Sequence, residues 1–260
     1  HLHAIAGIVI TASHNPPQYN GYKVYWEDGA QMPPEYADQV LARIRANRYE
    51  DAVEMDEAEA KAKGLLQIIG SKEVDDDYIA QVKTLSVQPE LMKTAGKALK
   101  IVYTPLHGSG NKPVRRILKE IGIENVYVVK EQELPDPNFS TVKVPNPEDP
   151  AAFTLAMKLA DEVGAILCYP YLGDVTNSVT GDKKAAKFED DFLDELFEML
   201  KEEGEHGVTY MPARNTKEQM TRLQKLCRDY GMMEISGEDV NSSRQSMICK
   251  QLEDPQFKHL

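Results

Sequence analysis

The chain has 260 residues, 42% of them apolar, and a formal charge of −12. Its acid excess is even, with 18 basic and 24 acidic side chains in residues 1–165 and 12 and 18 in residues 166–260, so no basic half exists to grip nucleic acid. No apolar run reaches the roughly 20 residues that cross a bilayer, and no signal-peptide pattern is present. The expectation is a cytoplasmic protein acting on small molecules, with no membrane and no nucleic-acid partner.

Residues 4–11 are rich in Ile and Val and too short for a membrane span, so they read as a buried strand. The run breaks into Thr11-Ala12-Ser13-His14-Asn15-Pro16. Pro16 and Pro17 cannot continue a central strand and Asn15 favours a turn, so Ser13 and His14 should project from a loop at the strand end. By residue type alone this is either turn chemistry, with His14 capping and Lys23 a solvated strand-end charge, or a functional loop on a rigid scaffold.

Residues 19–26 read as a second strand, and Glu27-Asp28-Gly29 supplies a turn. Pro33 and Pro34 open a helix with Tyr36, Val40, Leu41 and Ile44 at helical spacing and with Arg43, Arg45 and Arg48 near its end, where cations are favoured. Residues 51–63 are charged and alanine-rich, a surface helix and connector. Asp75-Asp76-Asp77 reads as the charged start of a helix carrying Tyr78, Ile79, Val82 and Leu85 rather than as a metal cluster.

From Ala98 the pattern alternates strand and helix, the mark of a parallel α/β layer. Residues 99–103 form a strand. The turn Leu106-His107-Gly108-Ser109-Gly110 precedes a helix with Val114, Ile117, Leu118 and Ile121 on one face and Gly122 as its stop. Such a turn can bind phosphate through free amides, or serve only as turn geometry. Residues 125–130 form the next strand, and Asp149-Pro150 caps a helix carrying Phe153, Ala156, Leu159, Ala160 and Val163 that ends at Gly164.

In the tail, Phe188, Phe192, Leu193, Leu196, Phe197 and Leu200 line a helix stopping at Gly204. Residues 208–211 form a strand. Thr216-Lys217-Glu218-Gln219 is a capping box opening a helix with Met220, Leu223, Leu226 and Tyr230 inside and Gly231 at its end, and residues 232–236 form a further strand. These units could extend the parallel sheet begun at Leu99. Cys168, Cys227 and Cys249 fit neither a disulfide framework nor a zinc spacing, so reduced core thiols are expected.

Thr11-Ala12-Ser13-His14-Asn15-Pro16, followed by Asn20-Gly21-Tyr22-Lys23, resembles the active-serine signature of the phosphoglucomutase and phosphomannomutase family, the α-D-phosphohexomutases. The segments 100–108 and 125–164 are similar to the same family. The resemblance implies an intramolecular phosphotransferase acting on a hexose phosphate, with Ser13 as phosphoryl carrier and metal contact, His14 as hydrogen-bond donor, Lys23 as phosphate partner and Mg2+ as cofactor. Near Ala165 the resemblance stops. Where the family carries a loop of aspartates and an arginine that holds magnesium, the chain reads Tyr169-Pro170-Tyr171-Leu172-Gly173-Asp174, with one acid. The tail is similar to the C-terminal part of the polymerase-and-histidinol-phosphatase (PHP) class of metal-dependent phosphoesterases. Gly237-Glu238-Asp239 matches the start of that class's last metal motif, but Asn241 stands in place of its histidine.

The expected architecture is therefore α/β with parallel strand-helix units: a partial domain 1 over residues 1–75, a domain 2 over 76–165 and a further α/β segment over 166–260. The chain looks truncated at its front, and a sheet edge left open there would favour self-association. The expected function is a phosphohexomutase in a truncated form of negligible mutase turnover. A PHP-like phosphoesterase and a non-catalytic remnant are the alternatives.

Overall fold

The computed structural model describes residues 1–147, 149–174, 188–238 and 249–258, apart from the side chain of Ser71. The chain divides into two compact units, His1–Leu159 and Ala160–Leu260.

The first unit opens on a hairpin of β1 (Gly7–Ile10) and β2 (Tyr22–Tyr25), paired antiparallel with Ile8 opposite Val24 and Val9 opposite Lys23. A bridge from Tyr25 to Gln31 and a bond from Met32 N–H to Val24 O (2.9 Å) lead into helix α1 (Pro34–Ala46), with proline in its first turn, where the missing N–H costs nothing. Trp26 stacks on Tyr36 at 5.6 Å between ring centroids. The Asp56 carboxylate accepts the amides of Ala58 and Glu59 and so starts α2 (Glu57–Ala62).

These elements form where periodicity and turn residues place them, yet they are not buried. Among the described side chains none before Ile79 is buried. Ile8 is 65% exposed and Ile10 70%, against the expectation of a buried strand. The reason is topological: among the described residues β1 has β2 as its one strand neighbour, and two strands alone bury little. Val40, Leu41 and Ile44 of α1 are likewise exposed.

Burial begins further on. Helices α3 (Asp76–Lys83) and α4 (Pro89–Ala95) precede β3 (Lys100–Tyr103), helix α5 (Asn111–Glu120) and β4 (Asn125–Val128), and β3 and β4 pair in parallel with Ile101 opposite Val126. Ile79, Ile123, Val128, Val129 and Ala152 are buried in this part. Gly122, at φ +103°, ends α5, and a side chain there would meet Met92 O at 2.9 Å. Helix α6 (Thr154–Val163) follows a single turn, Pro150–Phe153, capped by Asp149, whose Oδ1 accepts Ala151 N–H at 3.0 Å. The division between units falls within α6.

The second unit holds β5 (Cys168–Pro170), helix α7 (Leu193–Glu202), β6 (Gly207–Tyr210), helix α8 (Lys217–Tyr230) and β7 (Met233–Ser236). Its strands pair in parallel in the order β5-β6-β7, a sheet separate from β3-β4 and not an extension of it. The capping box is present: Thr216 Oγ1 accepts Gln219 N–H and Gln219 Oε1 accepts Thr216 N–H, while Gly231 closes α8 in the left-handed region. Leu193, Phe197, Leu200, Val208, Tyr210, Met220, Leu223 and Cys227 form a continuous core. Phe188 and Phe192, expected inside α7, precede its first residue; they are 68% and 51% exposed and pack on each other. All three cysteines are free. Burial, reinforced by Glu234, pushes the Cys227 thiol up to about 12.

Candidate active site

The loop between β1 and β2 is closed by a further rung, Thr11 N–H to Gly21 O at 2.9 Å. Inside it, Asn15 N–H donates to Ala12 O at 3.2 Å, a tight turn with Ser13 and His14 at its apex. Ser13 sits at φ +57°, a region that non-glycine residues adopt at a cost of about 1–2 kcal/mol. Its N–H donates to Thr11 Oγ1 at 2.9 Å, and its Oγ lies 3.3 Å from His14 Nδ1. Ser13 and His14 are both exposed. A strained backbone that presents a hydroxyl beside an imidazole is the kind of local cost found at functional sites. Lys23 lies on β2 opposite Val9, two residues beyond the Gly21 rung, and is exposed; no hydrogen bond or ion pair joins it to Ser13 or His14 among the described residues.

The second glycine-rich turn is organised differently. Leu106 and His107 are left-handed, at φ +47° and +62°, but the His107 ring is buried and spent inside the fold. Nδ1 donates to Leu134 O at 2.8 Å, and Nε2 is hydrogen-bonded to Thr141 Oγ1, also at 2.8 Å. The His107 amide donates to Gln132 O and the Gly108 amide to Pro105 O. Gln132, buried in a run of charged residues, joins Thr104, Thr141 and Ala152. Nothing in the local sequence marks Gln132 as interior. The His107 and Gly108 amides and the ring are thus committed internally rather than offered to a phosphate.

In the second unit, Glu189 and Asp190, at the turn that leads into α7, form a paired acid cluster against the residues that follow β5. Glu189 accepts from Tyr169 Oη (2.9 Å) and from the amides of Leu172 (3.2 Å) and Gly173 (2.7 Å). Asp190 accepts from Tyr171 Oη, the Asp174 amide (3.3 Å) and Gln219 Nε2 (2.7 Å). Burial raises the Glu189 carboxyl above the usual range against the pull of these donors, and burial with the adjacent carboxylates raises both tyrosines. Asp174, the one acid of the expected metal loop, has its Oδ1 occupied by the amides of Phe188 and Glu189. Glu238 accepts Ala213 N–H at 2.8 Å. Asp239 and Asn241 lie outside the described residues. Among the described residues no group of three His, Cys, Asp or Glu side chains could hold a metal ion, and no helix is long and apolar enough to cross a membrane.

Comparison with known proteins gives two family matches: residues 1–51 to phosphoglucomutase/phosphomannomutase alpha/beta/alpha domain I, and residues 76–176 to alpha/beta/alpha domain II. Together they take in more than half of the chain, including the serine loop, the His107 turn and β5. Among curated proteins, a phosphoglucomutase of Staphylococcus saprophyticus is 39% identical over 170 residues, covering 64% of this chain and 29% of its own. A phosphoglucomutase of Staphylococcus haemolyticus is 38% identical over 169 residues with the same coverage. A mouse phosphopentomutase is 36% identical over 166 residues, covering 64% of this chain and 26% of its own. The chain thus spans less than a third of the length of these relatives.

Proposed function

The N-terminal part of the chain belongs to the α-D-phosphohexomutase family, an enzyme family, and from that premise we propose that Ser13 is a phosphoryl acceptor for a hexose phosphate. The observation that carries this reading is the exposed Ser13 hydroxyl, held at a left-handed turn apex 3.3 Å from His14 Nδ1. In the transfer, the bond from phosphorus to the sugar oxygen breaks and a bond from phosphorus to Ser13 Oγ forms, while the serine proton passes to the departing sugar oxygen. His14 donates from Nδ1 to the phosphorylated oxygen. Lys23 meets a phosphate oxygen, since a phosphoserine adds roughly two negative charges that need a cation nearby.

The family generally uses Mg2+. Magnesium takes a near-octahedral set of oxygen ligands; Ser13 would supply one hydroxyl, and among the described residues no group of three His, Cys, Asp or Glu side chains could hold a metal ion. On this reading Ser13 is one oxygen contact for the ion, and the described residues supply no aspartate loop to complete its shell. Phosphoryl transfer gains most of its rate from alignment and charge stabilisation. On this reading residues 1–75 are a partial domain 1 and 76–165 a domain 2, cytoplasmic, with Ser13 accepting phosphate while full mutase turnover is negligible.

Incubation with glucose 1,6-bisphosphate in magnesium-containing buffer, followed by intact-mass measurement, tests the acceptor. One added phosphate is expected in the wild type and none in Ser13→Ala. An unmodified wild-type chain would leave the non-catalytic reading standing. Interconversion of glucose 1-phosphate and glucose 6-phosphate that disappears in Ser13→Ala would overturn the claim of negligible turnover. Self-association through the open edge of β1 belongs to the same proposal, and a strictly monomeric elution profile at high concentration removes it.

A further inference from the structure

Ser13 is the one non-glycine residue of the serine loop in the left-handed region. It is exposed, as are His14 and Asn15, so no surrounding core holds its backbone at φ +57°. A left-handed serine without support relaxes to a negative φ, where its hydroxyl is free to bond the following backbone amides, as serine does in turns. Such a fold-back would take the oxygen away from solvent and from His14.

Two bonds oppose that relaxation. One is the turn bond from Asn15 N–H to Ala12 O, which any residue at position 12 would accept. The other depends on a side chain: Ser13 N–H donates to Thr11 Oγ1 at 2.9 Å. Thr11 is itself anchored, because its own N–H forms the rung to Gly21 O that closes the loop, and its side chain is partly buried. The hydroxyl therefore links the last fixed point of the hairpin to the strained residue two positions on.

We infer that Thr11 is a positioning residue that holds Ser13 in the left-handed region and so presents its Oγ beside His14 Nδ1. This inference rests on the acceptor role proposed for Ser13. Thr11 does not touch the reacting atoms. It acts through the Ser13 backbone, and the acceptor hydroxyl, not the methyl or the size of the side chain, is what matters. A valine of nearly the same shape should fail, and a serine should succeed.

The test compares wild type, Thr11→Val and Thr11→Ser in the phosphate-addition assay with glucose 1,6-bisphosphate, together with the backbone carbon shifts of Ser13 by NMR. Loss of one neutral hydrogen bond should slow phosphate addition in Thr11→Val roughly tenfold and move the Ser13 shifts out of the left-handed range. The shifts of Val9 and Val24, which report the hairpin, should stay in place. Thr11→Ser should keep the wild-type shifts and a rate within about twofold, given its retained acceptor. Wild-type behaviour of Thr11→Val in both readouts overturns the inference while leaving the acceptor role intact. A Thr11→Ser chain as slow as Thr11→Val also overturns it, by assigning the effect to packing, and this arm decides the matter even where valine disturbs the hairpin. A wild-type chain that takes up no phosphate removes the acceptor role, and the inference with it.

Discussion

The first 75 residues and the second unit are built from similar parts and end in opposite conditions. Both contain short strands and an amphipathic helix opened by a proper first turn, α1 by Pro34 and α8 by Thr216. Yet α8 buries Met220, Leu223, Leu226 and Cys227 against a three-stranded sheet, whereas α1 buries nothing and the hairpin before it keeps Ile8 and Ile10 in solvent. Helical spacing creates a face. A second layer is needed to cover it, and among the described residues the second unit has one while the N-terminal segment does not.

Substitutions in the two regions should differ accordingly. Phe197 is fully buried in the core of the second unit, so Phe197→Ala should cost about 3–5 kcal/mol in urea unfolding of that unit. Retention of wild-type stability would mean that this core does not hold the unit together. Gly173→Ala should cost more than the roughly 1–2 kcal/mol of a left-handed alanine, because φ there is +70° and the added carbon would meet Asn215 Nδ2 at 2.7 Å and Tyr171 Oη at 2.9 Å. Thermal unfolding of that variant should shift clearly downward.

A smaller effect concerns pH. The raised Glu189 carboxyl holds its proton to higher pH in the folded chain than in the unfolded chain, so its contribution is fully present below the ordinary glutamate range and is lost as pH rises through the raised value. Glu189→Gln should flatten that part of the stability profile, measured as the difference between wild-type and variant unfolding as pH rises from the ordinary glutamate range. An unchanged profile would mean that Glu189 titrates normally. The smallest change is expected at the uncovered hairpin: Ile8→Thr should alter stability by no more than about 0.5 kcal/mol, and a larger loss would show that β1 is covered after all.

Much of this was legible from residue types. The Asp149-Pro150 start, the Thr216 capping box and the Gly231 stop follow from local rules that act within a few residues, and the alternation of strand and helix after Ala98 indicates the parallel units. The serine loop was legible as a turn at a strand end that carries Ser13 and His14. Its left-handed apex and the Thr11 hydroxyl beneath it were not, because Ser, Thr and Asn suit many turn types equally. Gln132 gave no signal, since a glutamine between glutamates looks solvated until Thr104, Thr141 and Ala152 close on it.

Residue order alone marks the caps at Asp149 and Thr216, the stop at Gly231 and the hydroxyl that could carry a phosphoryl group, since caps and turn residues are properties of neighbours along the chain, while several element limits differ from it, as with Phe188 and Phe192 ahead of α7. Only the tertiary structure decided which apolar faces lose water and which strands share a sheet. It also decided that the imidazole of His107 is committed inward while His14 stands beside an open hydroxyl. Burial and hydrogen-bond partnership depend on residues far apart in sequence, as with His107 and Thr141 or Tyr171 and Asp190, and no local pattern encodes that distance.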